Sequence, residues 1–282
     1  MRKFIEDRFG IIIRRKRPPY KLDLYDRLYP SPRLAEKPFY NVGAGGFWHP
    51  HWTNLDQASD WYSPEQKEIV SYDLMALEPL PIPSGRAEII YASHTIEHVS
   101  ETAVRNLFTE SYRALAPGGL LRVTCPDAET DFRAMMLGDT HWFYWDEYYV
   151  EPKDYEVQWT APPASMSIEE RWLNHVASAL APHDKSPSGI KYHAPQIRQI
   201  TAEKGFGGCL DFFTAQVSYD PVRPMNHVSW WTHEKVMRYL REAGFTNVYR
   251  SGRSQSASVL MRGSEQFDST HPQMSLYVEA IR

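Results

Sequence analysis

A glycine-rich turn followed by a carboxylate is the first group of residues that could do chemistry. Residues 39–46 (Phe-Tyr-Asn-Val-Gly-Ala-Gly-Gly) run from an apolar segment into the turn, and the next apolar segment ends at Asp56. Glycine lets the backbone approach a ligand closely. A carboxylate at the end of the following strand can accept hydrogen bonds from both ribose hydroxyls. The pattern predicts a nucleoside-type cofactor over the first two strands of an α/β sheet.

Residues 94–98 (His-Thr-Ile-Glu-His) place two imidazoles four positions apart. On a helix they would share a face, and the letters match the His-x-x-Glu-His pattern of a class of zinc peptidases. A buried strand precedes them and the sequence shows no third ligand, so we predict no metal. Proton transfer is the other use of these residues. His94 is the better-placed base, while His98 is either a second catalytic imidazole or a residue that packs the start of a helix.

Two further segments carry candidate groups. Asp127, with Glu129 and Asp131, could hold Mg²⁺ through oxygen ligands or shape a turn after Pro126, and we retain Asp127 as a catalytic candidate. Residues 142–149 (Trp-Phe-Tyr-Trp-Asp-Glu-Tyr-Tyr) suit a hydroxylated sugar ring and suit a buried core equally well. The further candidate bases, which the sequence does not rank, are His175, His183, His193 and His227.

Alternating strands, turns and helices must position these groups. The connector after the first strand is too short for a full helix and predicts a loop or a single turn. A helix with apolar residues at helical spacing precedes the fifth strand, residues 168–180 predict a helix, and Thr232 can cap another helix that ends before Gly244. The predicted strands are residues 39–42, 52–55, 69–74, 87–92, 120–124, 245–249 and 275–280.

The alternation predicts an α/β fold with a Rossmann-like, mostly parallel sheet, an antiparallel C-terminal strand and a large insert after the fifth strand. Residues 38–127 and 229–282 form the core. Residues 128–228 form a lid or substrate-binding subdomain, because a bare loop of about a hundred residues is uncommon. Residues 1–37 are an extension whose basic cluster, at 14–17, is a solvated arm or part of a homodimer contact rather than a membrane contact.

Composition narrows the function classes. The protein has 282 residues and a formal net charge of −4, so charge gives no case for nucleic acid binding. Two cysteines do not make a disulfide framework and are typical of a cytoplasmic protein. We predict no transmembrane segment and no signal peptide.

The order of the motifs resembles that of a class I (Rossmann-like) S-adenosylmethionine (SAM)-dependent methyltransferase, of the methyltransferase type-11 group and its branch associated with polysaccharide biosynthesis. The matching pieces lie within about 39–127 and 230–282. They are Asn-Val-Gly-Ala-Gly at 41–45, Asn-Leu-Asp at 54–56, Asp-Leu at 73–74, Tyr-Ala-Ser-His-Thr-Ile-Glu-His-Val at 91–99, Arg-Ala-Leu-Ala-Pro-Gly-Gly at 113–119, residues 120–127, Arg-Glu-Ala-Gly-Phe at 241–245 and residues 275–280.

The resemblance implies SAM as the cofactor and assigns roles to individual residues. Asp56 would bind the ribose hydroxyls, and Asp73 with the Leu74 backbone would face the adenine edge. The residues implied beside the methionine, ribose and sulfonium are Gly43, Ala44, Gly45, Ser93 and His94. The sequence departs from the family at Asn41, where an acidic residue is common, and at Phe47, where a third glycine is common. An amide at position 41 can still bind the amino group of the cofactor.

The predicted activity is transfer of a methyl group to a sugar hydroxyl of a glycan or glycan precursor, with a histidine removing the proton. One alternative is a small metabolite, lipid or protein acceptor. The other is a non-catalytic module that keeps the fold within a glycan-assembly complex. The short first connector argues against a dinucleotide, because the helix that would cradle a pyrophosphate has no room.

Overall fold

The computed structural model describes residues 22–57, 68–221 and 224–282, and the basic cluster at 14–17 lies outside them. Its centre is a seven-stranded sheet made of β1 (Phe39–Val42), β2 (Trp52–Asp56), β3 (Ile69–Ser71), β4 (Ala87–Ser93), β5 (Leu115–Pro126), β6 (Asn247–Arg250) and β7 (Ser275–Ile281). The strand order is β3-β2-β1-β4-β5-β7-β6. Strands β1 to β5 pair in parallel, and β7 is antiparallel to both of its neighbours. The predicted fold class is confirmed.

Eight α-helices are defined within the described residues. They are α1 (Leu22–Leu28), α2 (Ser31–Ala35), α3 (Glu101–Ala114), α4 (Ala128–Leu137), α5 (Pro152–Tyr155), α6 (Ile168–Ala177), α7 (Ala194–Thr214) and α8 (His233–Glu242). None of these described helices combines the length and the apolarity that crossing a bilayer requires.

Helices α3 and α8 cover one face of the sheet, as the apolar spacing predicts. The Ser100 side chain caps α3 and the Thr232 side chain caps α8, each by accepting a hydrogen bond from a backbone N–H of the first turn. Helix α3 buries Val104, Leu107 and Phe108 against the sheet. The resulting core fixes the positions of β4 and β5, so the loops at their carboxyl ends are attached to rigid strands.

The opposite face is covered by segments that the sequence did not identify. The chain between β1 and β2 forms turns without a helix, so this face needs another cover. Tyr25 of α1 is buried there, and the Trp52 indole donates a 2.7 Å hydrogen bond to its hydroxyl. Leu260 and Phe267, from the segment between β6 and β7, complete the same cluster. The second half of the predicted extension therefore packs on the sheet.

The insert has a hydrophobic core of its own. Helix α4, which follows β5, packs with α6 and α7 around Trp172, Leu173 and Phe213, all with no exposed surface. The aromatic stretch at 142–149 contributes Phe143 and Trp145 to this core. Most of that stretch thus serves packing, which is one of the two roles that its composition allowed.

Several predicted strand boundaries were wrong, and two of them differ by three residues or more. Strand β3 ends at Ser71, because the Asp73 carboxylate accepts a hydrogen bond from Met75 N and turns the chain into a short 3₁₀ helix. Strand β5 begins at Leu115 instead of 120, because the Pro-Gly-Gly segment forms a bulge between residues that pair with β4. The change in β5 is at its amino end, whereas the change in β3 places Asp73 and Leu74 in the turn after the strand instead of within it.

Candidate active site

The glycine turn after β1 lies against the loop after β4. Gly43 has a φ of 67°, in the left-handed region, and a Cβ added to it would lie 2.2 Å from Thr95 Cγ2. The Thr95 hydroxyl is 3.2 Å from the Val42 carbonyl oxygen. Two strand ends therefore meet with no room for a side chain, and the turn must be glycine at this position.

Asp56 is fixed by the backbone of the turn that it faces. Its Oδ2 accepts a hydrogen bond from Gly45 N at 2.7 Å, and its Oδ1 accepts one from Gln57 N at 2.7 Å. A carboxylate is an acceptor-only group, and ribose hydroxyls are donors that suit it. The position and the charge of Asp56 suit the ribose contact that the sequence predicts.

A small cavity of about 90 Å³ lies beside these residues. It is lined by Asp56, Asp73 and Leu74 from the sheet edge and by His94 from the loop after β4. Tyr219 of the insert lies over it and donates a 2.7 Å hydrogen bond to Gln57 Oε1. The insert thus forms one wall of the cavity that the predicted ribose and adenine contacts share.

A larger cavity of about 410 Å³ adjoins the first, since Gly43, Gly45, His94 and His98 line both. Asn41 reaches it with only 3 % of its surface exposed, and its Oδ1 accepts no hydrogen bond within the described residues. A buried acceptor without a donor is costly. The ammonium of a bound amino acid moiety would supply that donor.

His94 lies at the junction of the two cavities. Its φ of 49° is in the left-handed region, which residues with a Cβ rarely adopt and which often marks functional sites. Its Nδ1 is 3.1 Å from Glu97 Oε1, and its Nε2 is 2.8 Å from Ser275 Oγ. The ring is thus held between a carboxylate and a hydroxyl, with one nitrogen toward each.

Five histidines surround or adjoin the buried carboxylate of Glu97, and all of them line the larger cavity. They are His94, His98, His175, His227 and His271. Glu97 is only 1 % exposed. Burial raises the pKa of Glu97, but the nearby His98 and His94 outweigh this effect and lower its pKa to about 2. Glu97 therefore stays a carboxylate at neutral pH.

Burial keeps three of these imidazoles neutral at neutral pH. It lowers the pKa of His98, lowers that of His227 well below its usual value, and lowers that of His271 to about 4. The cluster thus combines a negative carboxylate with neutral rings that have nitrogen lone pairs.

Other predicted candidates have different surroundings. The Asp127 carboxylate caps α4 and accepts a 2.6 Å hydrogen bond from the Thr130 hydroxyl, and neither cavity is lined by it within the described residues. His183 and His193 both face Glu170, at 3.3 Å and 3.0 Å. The structure brings together His94 and His98 and separates them from Asp127.

One residue of the cavities had no signal in the sequence, and two others were named there without a ranking or a contact. His271 lies in the long segment between β6 and β7, where no periodicity marks an element, and its Nδ1 is 2.7 Å from the Tyr144 hydroxyl. His175 is on α6 with its Nδ1 2.9 Å from Asp131 Oδ2, which ties the insert to the cavity. Thr95 belongs to the motif at 91–99, but only the structure shows its contact with Gly43.

Residues 50–123 match the family model described as a methyltransferase domain, which is about a quarter of the protein. No curated protein sequence matches at a significant level. Among solved structures, a SAM-dependent methyltransferase from Mesorhizobium loti is 15 % identical and aligns over 89 % of this chain and 96 % of its own, with a TM-score of 0.39. A possible histamine N-methyltransferase from Thermotoga maritima is 12 % identical over 92 % and 95 %, with a TM-score of 0.37.

A glycopeptide N-methyltransferase complexed with SAM is 16 % identical to this protein over 39 % of this chain and 54 % of its own, with a TM-score of 0.27. These structural likenesses are too distant to assign a reaction. The family match and the sheet order support a SAM-dependent methyltransferase in general, with SAM as its cofactor. The unpaired Asn41 Oδ1, the Asp56 carboxylate and the glycine turn fit that cofactor.

Proposed function

We propose that this methyltransferase domain transfers the methyl group of SAM to a hydroxyl of a carbohydrate, a glycan or a glycan precursor, in the cytoplasm. The observation that carries the proposal is the position of His94. It lines both the cavity beside Asp56 and Asp73 and the larger polar cavity, so a base at this point lies between cofactor and acceptor.

The cofactor contacts follow from the geometry of the strand ends. Asp56 would receive the ribose hydroxyls, Asp73 and the Leu74 backbone would face the adenine, and Asn41 Oδ1 would accept a hydrogen bond from the amino group. Residues 43–45 would pass beside the ribose and methionine, and Ser93 lines the same large cavity. These assignments place the sulfonium near His94.

SAM supplies a methyl group that needs no further activation: the acceptor oxygen forms a C–O bond while the C–S bond breaks and its electron pair stays on sulfur. The residues must align the acceptor and remove its proton. His94 Nε2 is proposed to take that proton, with the acceptor hydroxyl replacing Ser275 Oγ as its partner. Glu97 is a positioning residue that holds Nδ1 and stabilises the ring when it is protonated.

The larger cavity supports a hydroxylated acceptor. Its volume of about 410 Å³ is within the range of small-molecule sites. Gln266, Ser269 and Thr270 offer hydrogen-bonding groups, while Phe47 and Tyr91 offer aromatic surface. Rings that stack and hydroxyls that bond are what a sugar ring needs.

Cofactor binding and methyl transfer are tested separately. Calorimetry with SAM and with its demethylated product should show binding to the folded protein. If neither ligand binds, the proposal is wrong. Labelled SAM should then methylate glycans or sugar nucleotides. Label that enters only lipid, protein or non-sugar metabolites would refute the acceptor while leaving methyl transfer intact.

The base is tested with a matched pair of histidine variants. His94→Gln should lower kcat at least a hundredfold with little change in cofactor affinity, since general base catalysis contributes about 10²–10⁴-fold. His141→Gln replaces a histidine on the exposed surface and should keep wild-type kcat. Equal rates for the two variants would show that His94 is not the base.

A further inference from the structure

We propose that Glu97, His98 and His227 form a binding site for one divalent transition-metal ion, with Zn²⁺ as its best-suited occupant. One carboxylate oxygen and two imidazole nitrogens of these residues all lie within 4.8 Å of one another. All three residues line the larger cavity. Nitrogen and oxygen donors in this combination suit Zn²⁺ and similar ions.

The separations are close to those of a bound ion. Ligand atoms that lie about 2.0–2.2 Å from Zn²⁺ can be no more than about 4.4 Å apart. Glu97 Oε1 is already 3.8 Å from His98 Nε2, and the rings of His98 and His227 have centroids 4.9 Å apart. Tetrahedral ligands at this distance lie about 3.4 Å apart, so the three groups must approach one another by up to about 1.4 Å to bind one ion.

One of the two imidazoles is oriented from behind, as metal ligands usually are. His98 Nδ1 is 3.3 Å from the Asn226 carbonyl oxygen, which leaves Nε2 toward Glu97. Such a bond fixes the ring and the tautomer and directs the other nitrogen to the ion. The His227 ring packs beside that of His175, with ring centroids 5.8 Å apart.

The buried carboxylate supplies the second argument. Glu97 is 1 % exposed, and neither of its oxygens accepts a well-aligned hydrogen bond within the described residues. A buried carboxylate needs a cation or several donors. Glu97 Oε1 lies between His94 Nδ1, at 3.1 Å, and His98 Nε2, at 3.8 Å, so the same oxygen faces both imidazoles.

The geometry also revises the use of the His-x-x-Glu-His pattern. In that pattern the two histidines would be the ligands, but His94 is turned toward Ser275 by its left-handed backbone. The structure assigns the ligand roles to the last two residues of the pattern and to His227, which lies far away in sequence. This third ligand is the residue that the sequence could not identify.

The role of the ion rests on the proposed function. Three protein ligands leave at least one coordination position, which faces the larger cavity and suits an oxygen donor. A hydroxyl of the acceptor could occupy it, and His94 would then lie beside a hydroxyl that is easier to deprotonate. Metal binding itself does not depend on this role.

The site is tested by titrating the full-length protein with Zn²⁺ after chelator treatment, against a competing colorimetric chelator. We expect one equivalent to bind, with Glu97→Gln and His227→Asn each weakening binding at least a hundredfold. His271→Asn removes an imidazole from the same cavity but outside the triad, and should stay within about threefold of wild type. Retained binding of the demethylated cofactor would show that each variant is folded.

No stoichiometric Zn²⁺ binding by the wild type would overturn the site, as would binding that Glu97→Gln or His227→Asn leaves unchanged. An equal loss in His271→Asn would overturn the ligand assignment. Methyl transfer by a protein that holds no metal would remove the ion from the mechanism without affecting the proposed function. Metal binding without methyl transfer would support the metal site and contradict the proposed function.

Discussion

Replacing Gly43 with alanine tests the close approach on which the cofactor turn depends. Gly43 has a φ of 67°, and the new Cβ would lie 2.2 Å from Thr95 Cγ2. Gly118 is the matched control, because its φ is 81° and a Cβ there meets nothing within 4 Å. Both substitutions place alanine in the left-handed region, so the difference between them isolates the contact with Thr95.

The magnitudes follow from these two terms. The left-handed conformation costs an alanine about 1–2 kcal/mol, and this applies to both variants. Forcing Thr95 to move adds about 1–3 kcal/mol for Gly43→Ala alone. In a protein of this size 1 kcal/mol corresponds to about 2–4 °C in Tm. Gly43→Ala should therefore melt about 2–12 °C below Gly118→Ala.

Cofactor binding should separate the variants further. Thr95 lines the smaller cavity, so its displacement changes the shape of that cavity. We expect the Kd for the demethylated cofactor, measured by calorimetry, to rise at least tenfold in Gly43→Ala and to stay at the wild-type value in Gly118→Ala. Equal Tm and equal Kd for the two variants would refute the inferred close approach.

Three other perturbations have defined outcomes. Asp56→Asn should raise the Kd for the demethylated cofactor about 10- to 100-fold in calorimetry, because a charged hydrogen bond is worth about 1.5–3 kcal/mol, and an unchanged Kd would remove Asp56 from the ribose contact. Arg122→Met should cost about 3–5 kcal/mol of unfolding free energy in urea, because Asp268 and Glu279 lie 2.6 Å and 2.7 Å from its guanidinium in a fully buried cluster; a loss below 1 kcal/mol would contradict this. Burial lowers the pKa of His49 to about 3. Below pH 6.5 this histidine therefore takes up a proton in the unfolded protein but not in the folded protein. Stability should therefore fall by about 1.4 kcal/mol per pH unit below 6.5, and His49→Asn should lose about 2 kcal/mol less than wild type between pH 7 and pH 5; parallel losses would refute it.

The sheet was predictable because its signals are local. Apolar runs marked β1, β2 and β4 almost to the residue, and Thr232 with Gly244 marked both ends of α8. The strand ends in turn placed Asp56 and His94 near each other, because parallel strands end at one edge. These features need only the order of elements along the chain.

The rest of the site depends on contacts between distant segments. His227 and His271 reach the larger cavity from the insert and from the segment before β7, and neither segment has a periodicity that reports its path. Arg122 is similar: within a buried strand its charge has no visible partner until Asp268 is brought beside it. Sequence patterns predict helices and strands, whereas these pairings form when irregular segments pack against distant parts of the protein.

The cover on the second face of the sheet has a consequence for the order of events during synthesis. The cluster joins Tyr25 to Phe39 and Trp52 and also to Leu260 and Phe267, so the cover over the earliest described helix is complete only after more than two hundred further residues have been made. The core of the insert lies almost wholly between residues 128 and 228 and can form earlier. We expect a released chain truncated near residue 240 to protect the insert from protease while the cofactor half stays open, since it lacks β7, which pairs with β5 along its whole length.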